Sequence, residues 1–157
     1  MKKLNWAFTI VIILLLGSCK NDTVYDQNLF LPAEGWHYKN KAAFDIAIDD
    51  TTHYHNFYIS LRINPDYEYS NMYVLMYGKS PAGDSTVRRI DLTLAAPDGK
   101  WLGKGTASVI SYRIPIIQKY VPKMGTYHFE IEQNMRINTL PNVINVGMAV
   151  EKGDVVF

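Results

Sequence analysis

The sequence predicts an all-β protein, an antiparallel β-sandwich of jelly-roll type with about eight strands. Three observations lead there. Apolar residues recur with period two through much of the chain, the repeat that puts alternate side chains on one face of a strand. Clusters of Gly, Pro, Asp and Asn break these runs every ten to twenty residues or roughly so, at a spacing suited to turns between short strands. Aromatic residues make up 13% of the chain, and 11 are Tyr, a type that favours pleated, half-buried surfaces.

The strands follow in order. Phe44, Ile46 and Ile48 alternate with Asp45, Ala47 and Asp49, and Asp49-Asp50-Thr51-Thr52 closes them as a turn. Phe57, Ile59, Leu61 and Ile63 form the next alternation, ended by Asn64-Pro65-Asp66. Met72 to Tyr77 is nearly all apolar, the pattern of a strand covered on both faces. Pro81-Ala82-Gly83-Asp84 reads as a hairpin tip, followed by Ile90, Leu92 and Leu94 alternating with Asp91 and Thr93. Pro97-Asp98-Gly99 is the next turn. Val109 to Ile117 is extended, with Pro115 marking an edge or an irregularity. Tyr127, Phe129 and Ile131, then Val146, Met148 and Val150, complete the set. No long stripe of period 3.6 occurs. The helix candidates are short, around residues 100–109 and 133–140.

The N-terminus has a different logic. Lys2 and Lys3 precede about eleven apolar residues, Trp6 to Leu16, too few to cross a hydrocarbon core of roughly 30 Å but enough for a signal peptide. Leu16-Gly17-Ser18-Cys19 then matches a lipobox: an aliphatic residue, two small residues that fit a peptidase cleft, and a thiol to carry diacylglycerol. The organisation expected is a signal peptide over 1–18, a lipidated N-terminus and tether over 19–28, and the sandwich domain over 29–157. Cys19 is the single cysteine, so no intrachain disulfide is available.

Composition narrows the chemistry. The net charge is +1; removing Lys2 and Lys3 leaves fourteen basic against fifteen acidic residues, with no basic footprint for nucleic acid. His53 and His55 share a strand face, and Asp49 and Asp50 lie just upstream. Two imidazoles fall short of the three or four ligands zinc requires, so a turn and strand start is the preferred reading and no metal is expected. Asp45, Asp91, Glu130 and Glu132 fall on the solvent side of strands, which disfavours a carboxylate pair for glycoside hydrolysis. No Gly-x-Ser-x-Gly elbow is present, and Gly99 to Gly105 lacks the order of a phosphate-binding loop. No enzyme activity and no cofactor are expected. Tyr67, Tyr69 and Trp101 are the candidate partner surface, since Tyr and Trp concentrate at interfaces; core packing and glycan stacking are the competing readings.

Several segments spread along the chain together resemble the GldH family, gliding-motility lipoproteins of the Bacteroidetes. They are Tyr25-Asp26, Glu34-Gly35-Trp36, Leu61-Arg62, Tyr67-x-Tyr69-Ser70-Asn71, Pro97 to Gly105, Gly125-Thr126-Tyr127-x-Phe129-x-Ile131-Glu132-Gln133-x-Met135-Arg136, Leu140-Pro141-x-Val143 and Val146-Gly147-x-x-Val150-Glu151. The resemblance implies a non-enzymatic lipoprotein of the gliding apparatus, tied to type IX secretion. Its implied partners are other gliding or secretion lipoproteins and membrane proteins. Only Cys19 transfers as a functional residue. The expected location is the cell envelope, lipid-anchored in the outer membrane, with the face open. Mass spectrometry of the native protein is expected to show a mature chain that begins at Cys19 and carries diacylglycerol on its sulfur; Cys19→Ala should release the protein from the membrane fraction.

Overall fold

The computed structural model describes residues 22–156, and all of its regular elements are strands. Cys19 and the leader lie outside these described residues. Eight long strands carry the fold: β1 (Thr23–Phe30), β3 (Ala42–Ile48), β4 (His53–Ile63), β5 (Asn71–Lys79), β6 (Ser85–Thr93), β8 (Ile110–Tyr120), β9 (Gly125–Gln133) and β11 (Val143–Val155). Three two-residue strands, β2 (Trp36–His37), β7 (Lys104–Gly105) and β10 (Thr139–Leu140), stitch the connections.

The long strands pair as a nested set. β1 pairs with β11, β3 with β9, β4 with β8, and β5 with β6, all antiparallel. First meets last, second meets second-to-last, and so on inward: one long folded ribbon. Rolling the ribbon adds two further ladders, β4–β11 and β5–β9. The sheet orders become β1-β11-β4-β8-β7 and β3-β9-β5-β6, with β10-β2 as a separate two-stranded ribbon. This is the jelly-roll arrangement, as the sequence predicts.

Period-two patterning makes the two inner faces. Phe44, Ile46 and Ile48 of β3 and Phe57, Ile59, Leu61 and Ile63 of β4 are buried. Tyr127, Phe129 and Ile131 of β9 meet them, as do Val146, Met148 and Val150 of β11. Each such side chain contributes about 1.5–3 kcal/mol on burial, before entropy is subtracted. On β5 only Met72, Val74 and Met76 face inward. The outer side of the predicted two-faced strand is instead covered by a polar layer. Arg89 stacks 3.9 Å above the Tyr73 ring and the Lys41 ammonium sits 3.7 Å above that of Tyr77. The Tyr77 hydroxyl donates to Glu132 at 3.0 Å. Pro115 lies next to a register shift in the β4–β8 ladder, where pairing is already interrupted.

Three expectations change. Residues 23–28, expected as tether, belong to β1, which is hydrogen-bonded to β11 along its length. Neither short helix forms. Around 133–140 the buried Gln133 side chain captures the turn instead: its amide donates to the carbonyls of Ile137 (2.9 Å) and Asn138 (3.2 Å), and its oxygen accepts from the Met135 N–H (2.9 Å). Around 100–109 the chain makes an isolated bridge between Ala95 and Trp101, followed by β7.

The strand ends define two poles. β1, β4, β6 and β9 start, and β3, β5, β8 and β11 end, at the pole that holds Asp22; the turns at 49–52, 80–84 and 121–124 lie there. The opposite pole carries the connections 31–41, 64–70, 94–109 and 134–142. Trp36 plugs this opposite pole: it is fully buried and its indole N–H donates to the Asn40 carbonyl at 2.8 Å. Gly35 before it has φ +116°, and a Cβ there would stand 2.6 Å from the Leu140 carbonyl oxygen. Trp36→Ala is expected to cost about 3–5 kcal/mol in urea denaturation. Gly35→Ala should destabilise through backbone strain and this clash together.

Candidate partner-binding pole

The candidate aromatics assemble at the pole away from Asp22, on two facing connections. In the first, Asn64 accepts the Asp66 N–H on its side chain (3.0 Å) and the Tyr67 N–H on its carbonyl (3.0 Å), which folds the chain inward after Pro65. Tyr67 therefore enters the core, 4% exposed, and its hydroxyl donates to the Asn71 carbonyl at 3.1 Å. Burial pushes its phenol well above the ordinary tyrosine range. As a surface residue Tyr67 is thus corrected: it supports Tyr69, whose ring meets it edge-on at 5.7 Å. Tyr69 itself is exposed. With their planes 69° apart, these two rings do not make a flat sugar-stacking platform.

The second connection is a small hairpin. Ala96 and Lys100 exchange a backbone bond at 2.8 Å, Asp98 accepts the Lys100 N–H at 3.0 Å, and Gly99 turns at φ +84°. The Asp-Gly tip is thus a turn, as its residues suggest. Ser70 ties the two connections together, its carbonyl accepting from Leu94 and Ala95 at 2.8 and 2.9 Å. Trp101 is half-buried and, with Pro65 and Ile110, lines a cavity of about 320 Å³. Beyond it Leu102 is 58% exposed. Phe30, Tyr38 and Ile137, all exposed, share this pole. Pattern reading did not single out these four, because a lone apolar residue in a connection has no periodicity.

Leu102, Gly103 and Lys104 also wall a cleft of about 580 Å³ on the outer face of the larger sheet, floored by Asp26, Ser60 and Arg113. Two of its charges, Asp26 and Arg113, are partnered. Arg113 reaches Asp26 at 3.1 Å and Glu151 at 2.7 Å while lying 5.0 Å from the Tyr58 ring.

His53 and His55 sit at the other pole. The His53 ring bonds Asp50 at 2.8 Å, and the same carboxylate oxygen receives the Lys152 ammonium at 2.8 Å. Asp50 also accepts from the Thr52 hydroxyl (2.7 Å) and N–H (2.8 Å). The Lys152 hydrogen bond first, then those from Thr52, hold its carboxyl far below the usual range. His55 is fully buried, its Nδ1 bonded to the His53 carbonyl at 3.0 Å. Among the described residues no group of three or more His, Cys, Asp and Glu is arranged to hold a metal ion. The His-Asp cluster is a turn-stabilising network.

The architecture is that of a jelly-roll domain whose polar clusters tie strands and turns together and whose exposed apolar residues gather at its ends. The model of the GldH lipoprotein family matches residues 23–150, and the chain belongs to that family. It is 29% identical to the gliding motility lipoprotein GldH homolog of Christiangramia forsetii, over 94% of this chain and 98% of that protein. It is 25% identical to the gliding motility lipoprotein GldH of Flavobacterium johnsoniae, over 98% of this chain and 100% of that protein. As a member of a lipoprotein family it is a lipid-anchored protein of the cell envelope.

Burial, the largest influence on His55, depresses its pKa. The unfolded chain therefore takes up a proton near pH 6.5 that the folded protein refuses. The contribution of neutral His55 is complete above that pH and is lost as pH falls below it, toward the depressed folded value. Asp50 is also depressed, so its contribution is complete above about pH 3.9 and lost only on strong acidification. The urea midpoint is expected to decline as pH drops from 7 to 5, and NMR of the His55 ring should show it titrating below the range of a free histidine.

Proposed function

We propose that this protein is a gliding-motility lipoprotein that acts as a non-enzymatic assembly or stability factor in the apparatus associated with type IX secretion. Membership in the GldH family supports the motility assignment. The observation that carries the mode of action is the concentration of exposed Phe30, Tyr38, Tyr69, Leu102 and Ile137 on one pole of the sandwich. Exposed aromatic and aliphatic groups clustered among polar neighbours suit a protein partner. The connections that bear them are pinned by backbone bonds at Ser70 and by the buried Tyr67 and Trp36, so little ordering entropy is spent on contact.

Cys19, on this reading, carries the lipid and holds the domain at the outer membrane, among other gliding or secretion lipoproteins and membrane proteins. Confinement to one membrane raises the effective concentration of partners without new contacts. The working residues are Tyr69 and Leu102, with Trp101 supporting Leu102 and Tyr67 supporting Tyr69.

The test is crosslinking of intact cells followed by co-purification. Tyr69→Ala combined with Leu102→Asp is expected to leave the urea midpoint within error and lower partner recovery by about tenfold or more, the loss typical of removing interface anchors. Recovery equal to that of the unaltered protein rejects this surface.

A further inference from the structure

The pole that holds Asp22 has a surface of its own. Across the larger sheet, Asp22 bonds the Lys152 N–H through its carbonyl at 2.7 Å. Lys152 lies opposite His55, and His55 opposite Tyr120. Tyr120 is therefore about three strand spacings, or ~14 Å, from the start of β1. Only Lys20 and Asn21 separate Asp22 from Cys19, three Cα-to-Cα steps in all. Even fully extended they reach no more than about 11 Å. A lipid on Cys19 thus brings the bilayer to this pole and no other.

The loop that follows Tyr120 is built for such a neighbour. Lys119, Tyr120, Val121, Pro122, Lys123 and Met124 contain two cations, no anion and three exposed apolar side chains. Met124 is 67% exposed and Val121 49%, while Pro122 between them is buried and anchors the loop. Both ends are fixed. The Lys119 N–H donates to the Asn56 side chain at 2.9 Å, and the Lys123 N–H donates to the Tyr127 hydroxyl at 2.9 Å. Val121 and Met124 are therefore presented outward by a pinned hairpin rather than by a loose one. Across the same pole Val155 is also exposed. Apolar tips flanked by lysines are the composition of an interfacial membrane contact: the tips enter the boundary between headgroups and acyl chains, and the ammonium groups meet lipid phosphates.

We propose that the sandwich stands upright on the membrane that holds its lipid, with Val121 and Met124 inserted in the interface and Lys119 and Lys123 on lipid phosphates. The long axis of β11, 13 residues, then carries the opposite pole about 40 Å from the bilayer. The inference rests on the lipid anchor and not on any protein partner, so it stands or falls separately from the partner surface.

The test uses the full lipidated chain reconstituted in vesicles of phosphatidylethanolamine and phosphatidylglycerol, with no other protein. Because the natural cysteine carries lipid, Met124→Cys, Val87→Cys and Leu102→Cys each offer one labelling site. A fluorophore at 124 is expected to be quenched by nitroxide-bearing lipid at least about threefold more than one at 102 or 87, and to be shielded from iodide. Adding Val121→Asp to the labelled Met124→Cys chain should remove most of that quenching while the protein still floats with the vesicles. Equal iodide access at 124 and 102 overturns the proposal. So does stronger lipid quenching at 87, which would mean a domain lying on its β6 edge. Protein that fails to float overturns it as well, since no lipid then sets the orientation.

Discussion

The fold depends on one ladder, between β4 and β11. These strands pair from Ile63–Val143 through to His53–Val155 and form the middle of the larger sheet. The four nested pairings of the ribbon itself can be drawn flat. Only when β11 seats beside β4, and β9 beside β5, does the ribbon roll and bring two apolar faces together. The partners are about eighty or more residues apart in sequence, so the ladder closes late and is rewarded only by the core it creates. Met148 and Val150 of β11, opposite Ile59 and Phe57, supply part of that reward.

Much of this was legible in the sequence because alternation is a local property. Phe44-Ile46-Ile48, Phe57 to Ile63 and Tyr127-Phe129-Ile131 declare both the strand and its buried face. The jelly-roll order followed from strand number and turn spacing. What escaped has equally local reasons. β1 is an edge strand with four of its eight residues polar and exposed between Asp26 and Asn28 or at Thr23, so it resembles a linker until β11 is placed beside it. The outer face of β5 looks apolar in sequence, yet Lys41 from the segment before β3 and Arg89 from β6 cover its tyrosine rings. Residues 133–140 have a helix-like composition, but the Gln133 side chain occupies the backbone groups a helix would need. At the candidate surface, Tyr67, Tyr69 and Trp101 do lie together, but the sequence did not distinguish the buried Tyr67 from the exposed Tyr69. Which of two neighbouring tyrosines turns inward is decided by the Asn64 turn, a contact invisible to patterning.

The two poles divide the chemistry. Neither carries a group of three or more His, Cys, Asp and Glu arranged to hold a metal ion among the described residues. Both carry exposed apolar side chains held on well-bonded connections. Between them the outer faces are laced with ion pairs and cation–π contacts, such as Arg113 with Glu151 and Lys41 with Glu130. The unpaired flank of β6 shows Arg88 and Arg89 beside the exposed Val87. Cations there discourage another strand from adding to the edge.

The position of β1 also has a mechanical consequence. Any pull delivered through residue 22 runs along the axis of β1, while the bonds that hold β1 to β11 lie across that axis over seven matched pairs from Thr23 to Phe30. A load in that direction shears the whole row at once instead of peeling it bond by bond. A domain towed by its N-terminus would therefore resist extraction of its first strand up to the point where the row gives way together, and the force would pass directly into β11, an interior strand of the sheet.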